Sequence, residues 1–149
     1  MSWSLSSAHT DFPAFAPAWD ALNRRLFNAH PLLDSAFIAP LVELYGPDTL
    51  RLARETVDGQ LRSAALIRPL APGAWRVFAL GPIQMTPALM APEADWDALL
   101  RSLPGMALLL NVNLQDPQYS HLAPCPPVRR AFDHACTIGI ALEGDFDRY

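Results

Sequence analysis

Leu50-Arg51-Leu52-Ala53-Arg54-Glu55-Thr56, Val57-Asp58-Gly59-Gln60 and Leu61-Arg62-Ser63-Ala64-Ala65-Leu66-Ile67-Arg68 form the stretch that decides the fold. Two strand-like runs flank an Asp-Gly pair, the strongest short hairpin signal a sequence can carry. An antiparallel pair therefore sits at the centre of the chain, and everything else must pack on it or extend it. On the C-terminal side, Pro72-Gly73 predicts a further turn and residues 75–80 a third strand, ended by Gly81-Pro82. On the N-terminal side the period changes from two to 3.6. Phe37, Ile38, Leu41, Val42 and Tyr45 mark the apolar stripe of a helix that starts near Asp34 or Ser35 and stops at Gly46-Pro47. Pro40 falls early in that helix.

Further out, Pro17 is placed to be the first residue of another helix, with Trp19, Leu22 and Leu26 on its buried face. His30-Pro31 breaks it, and residues 3–7 alternate as a short first strand. Beyond the third strand, residues 83–91 read as a loop rich in Met and Pro. Trp96, Leu99, Leu100 and Leu103 predict a helix closed by Pro104-Gly105. Residues 107–110 form a continuous apolar run, the pattern of a strand buried on both faces. In a last strand, Cys136, Ile138, Ile140 and Leu142 alternate with Ala135, Thr137, Gly139 and Ala141. The order is β-α-α-β-β-β-α-β-β. It predicts an α+β fold of the three-layer α/β type, with a mixed, mostly antiparallel sheet flanked by helices.

Composition narrows the function classes. The chain has 149 residues, enough for one domain with its own core. Hydrophobic residues make up 51% and charged residues 17%, which excludes a disordered chain. A net charge of −4 gives no reason to expect nucleic acid or an anionic membrane as partner. No apolar run approaches the 18 or so residues of a membrane span. All 11 basic residues are arginine, scattered along the chain, as GC-rich codon usage produces. Cys125 and Cys136 form no disulfide framework, and the N-terminus has no signal-peptide pattern, so the expectation is a cytoplasmic protein.

Two candidate chemistries are writable around the cysteines. His121, Cys125, His134 and Cys136 include the two Cys and two His of a zinc site, but their spacing matches no usual zinc pattern. Cys125 with His134 or His121 makes a nucleophile pair that lacks any oxyanion-hole signature. A core thiol and loop imidazoles account for the same residues.

A substrate site is expected instead at the mouth of the 107–110 strand, where Asn111, Asn113, Gln115 and Asp116 follow in close order. A strand's carboxyl end opening into a polar loop is a common ligand position, and neutral amides suit a sugar, amide or amino-acid acceptor. A turn capped by Asp116-Pro117 explains the same residues without a ligand. Gln84, with Met85 and Met90, lies on the Met- and Pro-rich loop, either as an adaptable binding surface or as a cover over the core. Trp19, Trp75 and Trp96 fall in phase with the apolar stripes and read as core. Asp95 and Asp97 sit at a helix start, where the macrodipole favours them.

Four segments carry a resemblance. They are His30-Pro31-Leu32-Leu33-Asp34-Ser35-Ala36-Phe37, Val57-Asp58-Gly59-Gln60-Leu61, Phe78-Ala79-Leu80-Gly81-Pro82 and Leu142-Glu143-Gly144-Asp145-Phe146-Asp147-Arg148-Tyr149. In order and spacing they resemble the N-terminal half of bacterial two-domain Gcn5-related N-acetyltransferase (GNAT) proteins of the cellulose-biosynthesis, CelD-like type, related to the FemAB-like aminoacyl transferases. The resemblance implies a GNAT-like domain over residues 1–142, with 143–149 opening a linker or a second GNAT domain. It implies a parent N-acyltransferase that uses acetyl-CoA or another acyl-CoA, and a small-molecule amine acceptor positioned by this half. The acyl-CoA site belongs to the half that follows. The glycines here are Gly46, Gly59, Gly73, Gly81, Gly105, Gly139 and Gly144, none spaced to cradle a pyrophosphate. No catalytic, cofactor-binding or metal-binding residue is therefore assigned in this chain. The other expectation is a stand-alone, non-catalytic GNAT-like binding or assembly module, its apolar face covered by a homodimer mate.

Overall fold

The computed structural model describes residues 2–79 and 86–112. The central hairpin forms as the sequence predicts. Strand β2 (Arg51–Val57) pairs antiparallel with β3 (Gln60–Ala71), and Val57 faces Gln60 across the turn. Asp58 and Gly59 both take positive φ, 51° and 77°. This is the backbone a tight two-residue hairpin needs, and Asp and Gly tolerate it best.

Strand β1 (Ser2–Ser7) adds antiparallel to the free edge of β2, with Leu5 opposite Ala53. Strand β4 (Ala74–Val77) folds back on the far end of β3 around Pro72-Gly73, with Gly73 at φ 75°. The sequence-predicted loop over residues 83–91 contains a strand. Within it, β5 (Ala88–Leu89) pairs antiparallel with β3, Ala64 facing Leu89. Two residues of ladder leave no periodicity to read, so only the long β3 edge reveals them. Strand β6 (Leu109–Asn111) then runs parallel to β4. The described sheet has six strands in the order β1-β2-β3-β4-β6, with β5 beside β3, and is mostly antiparallel.

Between β1 and β2 lie helices α1 (Ala8–Phe27) and α2 (Ser35–Tyr45), joined by a short 3-10 turn, Pro31–Leu33. Helix α1 does not begin at Pro17: it starts nine positions earlier and carries both Pro13 and Pro17 inside it. Each proline removes one backbone hydrogen bond. Both are exposed and four residues apart, so the lost bonds fall on the solvent side, while Ala8, Phe12, Trp19, Leu22 and Phe27 are buried. Burial of that face outweighs the local proline rule.

Helix α2 starts where predicted. Asp34 caps it by accepting a 2.8 Å hydrogen bond from the Ala36 amide. Its buried stripe is narrower than the sequence pattern, with Ile38 and Val42 buried while Phe37 and Tyr45 are exposed. Helix α3 (Trp96–Ser102) precedes β6 and is capped by Asp95, which accepts from the Ala98 amide at 2.9 Å. Asp97 pairs with Arg101 one turn on.

The sheet is covered on both faces, and strand alternation divides the core in two. Leu52, Ala64, Leu66, Phe78 and Leu89 pack with Phe12, Trp19, Leu22, Ile38 and Val42 under α1 and α2. Ala53, Ala65, Ile67, Trp75, Val77 and Ala88 pack with Leu99 and Leu103 of α3, and Trp96 and Met90 close over that side. Strand β3 is accordingly buried without interruption from Ser63 to Ile67, as a strand covered on both faces must be. The fold is α+β, helices above and below a mixed sheet. The run 107–110 departs from expectation. It is not buried on both faces, because β6 ends the described strand path and leaves Leu108 and Leu109 exposed.

Candidate functional site

Of the residues expected to form a substrate site, the structure describes Asn111. Asn113, Gln115, Asp116 and Gln84 lie outside the described residues, as do Met85, His121, Cys125, His134 and Cys136. Asn111 is the last residue of β6 and is exposed. It stands beside Arg76 of β4 in parallel register, and Arg76 in turn faces Arg68 of β3. Ile67 and Val77, the paired neighbours of the two arginines, point into the α3 side of the core. Arg68, Arg76 and Asn111 therefore form one row on the opposite face, the face that α1 and α2 cover further along the sheet.

The row brings together three donors and no acid. Directly opposed residues place their Cβ atoms about 5 Å apart. The Nε of Arg76 is buried and has no hydrogen-bond partner. The ion pairs formed among the described residues are elsewhere, Arg62 with Glu93 and Arg101 with Asp97. Sequence reading places Asn111 at a strand end, where the structure also has it, and singles out neither arginine. Their one signal is symmetry. Each lies four residues from Pro72, the distance at which a hairpin with one extra residue brings them opposite. The extra residue is Leu70, where the β3–β4 register shifts.

A second polar group lies on the α3 face. Glu55 and Ser63 are paired across β2 and β3, and both are fully buried. The Ser63 hydroxyl donates to Glu55 Oε2 at 2.7 Å and accepts from the Ala91 amide at 3.1 Å. Glu55 Oε1 accepts from the Asp95 amide at 3.3 Å, and Trp3 Nε1 donates to the Asp95 carbonyl at 3.1 Å. The cluster pins the segment entering α3 to the centre of the sheet. Glu55 and Ser63 each bond to the other and to a backbone amide, the arrangement of a structural polar network.

Among the described residues, no group of three or more His, Cys, Asp and Glu side chains is placed to hold a metal ion. No described helix is long and apolar enough to cross a membrane. No family model matches the chain, and no curated protein or solved structure is significantly similar to it.

Proposed function

We propose that this chain is the acceptor-positioning, structural domain of a GNAT-like N-acyltransferase, with the acyl-CoA site contributed by a second GNAT-like domain. One observation supports the reading: the order of elements. Both α1 and α2 fall in the single connection between β1 and β2, an antiparallel β2-β3-β4 meander follows, and α3 leads into a strand parallel to β4. This is the element order that a GNAT-like fold implies. The glycines support the division of labour. Gly46, Gly59, Gly73 and Gly105 stand singly in separate turns, so among the described residues no glycine-rich loop gathers the converging amides that a CoA pyrophosphate requires. In the complete enzyme a base deprotonates the acceptor amine and backbone amides polarise the thioester. This half holds the acceptor near the β6 end, where Asn111 lies.

Calorimetric titration with acetyl-CoA, carried out in phosphate buffer, tests the reading. The 149-residue chain is expected to show no binding, and a chain that also carries the second GNAT-like half is expected to bind. Tight binding by the 149-residue chain overturns the division of labour. Absence of acyl transfer by the longer chain overturns the acyltransferase reading.

One observation favours the assembly-module reading. Leu70, Met106, Leu108 and Leu109 leave apolar surface exposed at one end of the sheet. Sedimentation of the 149-residue chain as a homodimer supports that alternative.

A further inference from the structure

We infer that Arg68 and Arg76, with Asn111 beside them, form a binding site for a phosphate group. The argument starts from what the fold costs. Like charges directly opposite one another on a sheet destabilise it. A guanidinium cannot relieve the repulsion by losing its proton. Arg68 and Arg76 are such a pair, held in register by β3 and β4.

The described carboxylates with partners are committed elsewhere. Glu93 and Asp97 hold other arginines, Asp20 and Asp34 hold the start of α2, Asp95 caps α3, and Glu55 is engaged on the opposite face of the sheet. Arg76 adds a second cost, a buried Nε without a hydrogen-bond partner.

Arg54 shows that the row at Arg68 and Arg76 is not simply how this protein treats strand arginines. Arg54 also has a buried Nε without a partner, but its guanidinium lies 5.7 Å from the centre of the Phe15 ring and donates to Ser6 Oγ. Its charge is accommodated by protein atoms. Among the described residues, no such ring or hydroxyl partner is placed on Arg68 or Arg76.

A single oxyanion between them removes both costs. It accepts the parallel N–H bonds that a guanidinium fork presents, and it reverses the repulsion. Two fixed positive charges match the dianionic form of a phosphate better than one carboxylate. The Asn111 amide adds a neutral donor at the open end of the row. The ligand is a small molecule and not a nucleic acid, because one pair of arginines on a chain of net charge −4 makes no extended basic surface. The site does not depend on the acyltransferase reading. The acetyl-CoA titration above contains phosphate, which occupies this row, so each reading fails by its own experiment.

The experiment is calorimetric and thermal-shift titration of the 149-residue chain with inorganic phosphate at low ionic strength, with malonate and chloride at matched ionic strength as comparisons. Wild type is expected to bind phosphate saturably and to gain thermal stability from it. Arg68→Gln and Arg76→Gln each weaken binding by about tenfold or more, while Arg24→Gln, on the exposed side of α1, leaves it unchanged. Without phosphate, Arg68→Gln melts at or above the wild-type temperature because the repulsion is gone. It carries the test by itself if Arg76→Gln does not fold. The inference is overturned if wild type shows no saturable phosphate binding, or if Arg68→Gln binds as wild type does. It is also overturned if malonate binds more tightly than phosphate.

Discussion

The Ser63 hydroxyl donates a 2.7 Å hydrogen bond to the carboxylate of Glu55, and the two side chains are 0% and 1% exposed. They lie at the bulge, where the β2–β3 register shifts between Glu55 and Thr56, and they reach forward to the amides of Ala91 and Asp95. Two strands and the entry to α3 are thereby tied at one buried point. Removing either partner leaves the other without its bond in the core. Glu55→Ala and Ser63→Ala are each expected to lose about 1–3 kcal/mol of stability. The double variant should lose less than the sum, since the partners share one network. Urea denaturation of the four proteins measures the coupling. Additive losses would show that the two side chains act separately.

Trp19 links α1 to the turn that precedes α2. Its ring is buried, meets Phe12 edge-on at 5.3 Å between centroids, and its Nε1 donates to the Leu33 carbonyl at 2.6 Å. Trp19→Phe keeps an aromatic ring but leaves that carbonyl unpaired and a void beside it. The expected loss is about 2–4 kcal/mol, read as a lower urea midpoint at constant m-value. A change below about 0.5 kcal/mol would mean that water reaches the Leu33 carbonyl.

What was legible in the sequence was local. Asp58-Gly59, Asp34 before α2 and Asp95 before α3 carry their own backbone chemistry, so the hairpin and two helix starts follow from short windows. What was not legible depends on neighbours distant in the chain. Pro17 looks like a helix start until the burial of Ala8 and Phe12 extends α1 past it. The apolar run 107–110 looks interior, but β6 has a described neighbour on one side only. Asn111 is legible as the end of a strand, which is where β6 has it. Arg68 and Arg76 looked scattered because their pairing exists only once β3 and β4 fold back, with Leu70 as the extra residue.

Asp20 joins the two helices through Ser35. Its Oδ1 accepts from the Ser35 amide at 2.8 Å and its Oδ2 from the Ser35 hydroxyl at 2.7 Å, while Asp34 holds the next amide, that of Ala36. Two carboxylates thus share the amides that α2 leaves free at its start. Asp34→Ala is expected to cost about 0.5–2 kcal/mol as a lost cap. Asp20→Ala should cost at least as much, because it also separates α1 from α2. Hydrogen exchange distinguishes them. Asp34→Ala speeds exchange in the first turn of α2, whereas Asp20→Ala speeds it along the whole helix.

Glu93 titrates below the ordinary carboxylate range. Its backbone hydrogen bond is the larger cause, followed by the hydrogen bond from Arg62. A carboxylate whose folded pKa is depressed stabilises the fold above its unfolded pKa, and that contribution is lost as pH falls through the folded value. The window therefore lies below the ordinary range of a glutamate carboxyl. Because Glu93 is exposed, solvent screening keeps its effect on stability small, and the measurement is site-specific titration by NMR. Arg62→Gln should raise the Glu93 midpoint only part of the way, since the backbone bond remains. Full return to the ordinary value would assign the shift to Arg62 alone.

Gly46 and Gly59 are required for different reasons, and alanine at each separates them. Gly59 has φ +77° and nothing within 4 Å of where a Cβ would stand, so Gly59→Ala meets only the backbone penalty, about 1–2 kcal/mol. Gly46 has an ordinary φ of −67°, yet a Cβ there would stand 2.4 Å from the Val42 carbonyl oxygen and 3.2 Å from the His9 ring. That carbonyl accepts the Gly46 amide, and the His9 ring holds the Gly46 carbonyl at 3.1 Å, so neither neighbour gives way without breaking a bond. Gly46→Ala is therefore expected to be the more damaging of the two, although only Gly59 has positive φ. It should also loosen the contact between the end of α2 and the start of α1. Thermal denaturation of both variants decides it: a Gly46→Ala protein more stable than Gly59→Ala would show that the α2 terminus shifts freely to admit the methyl group.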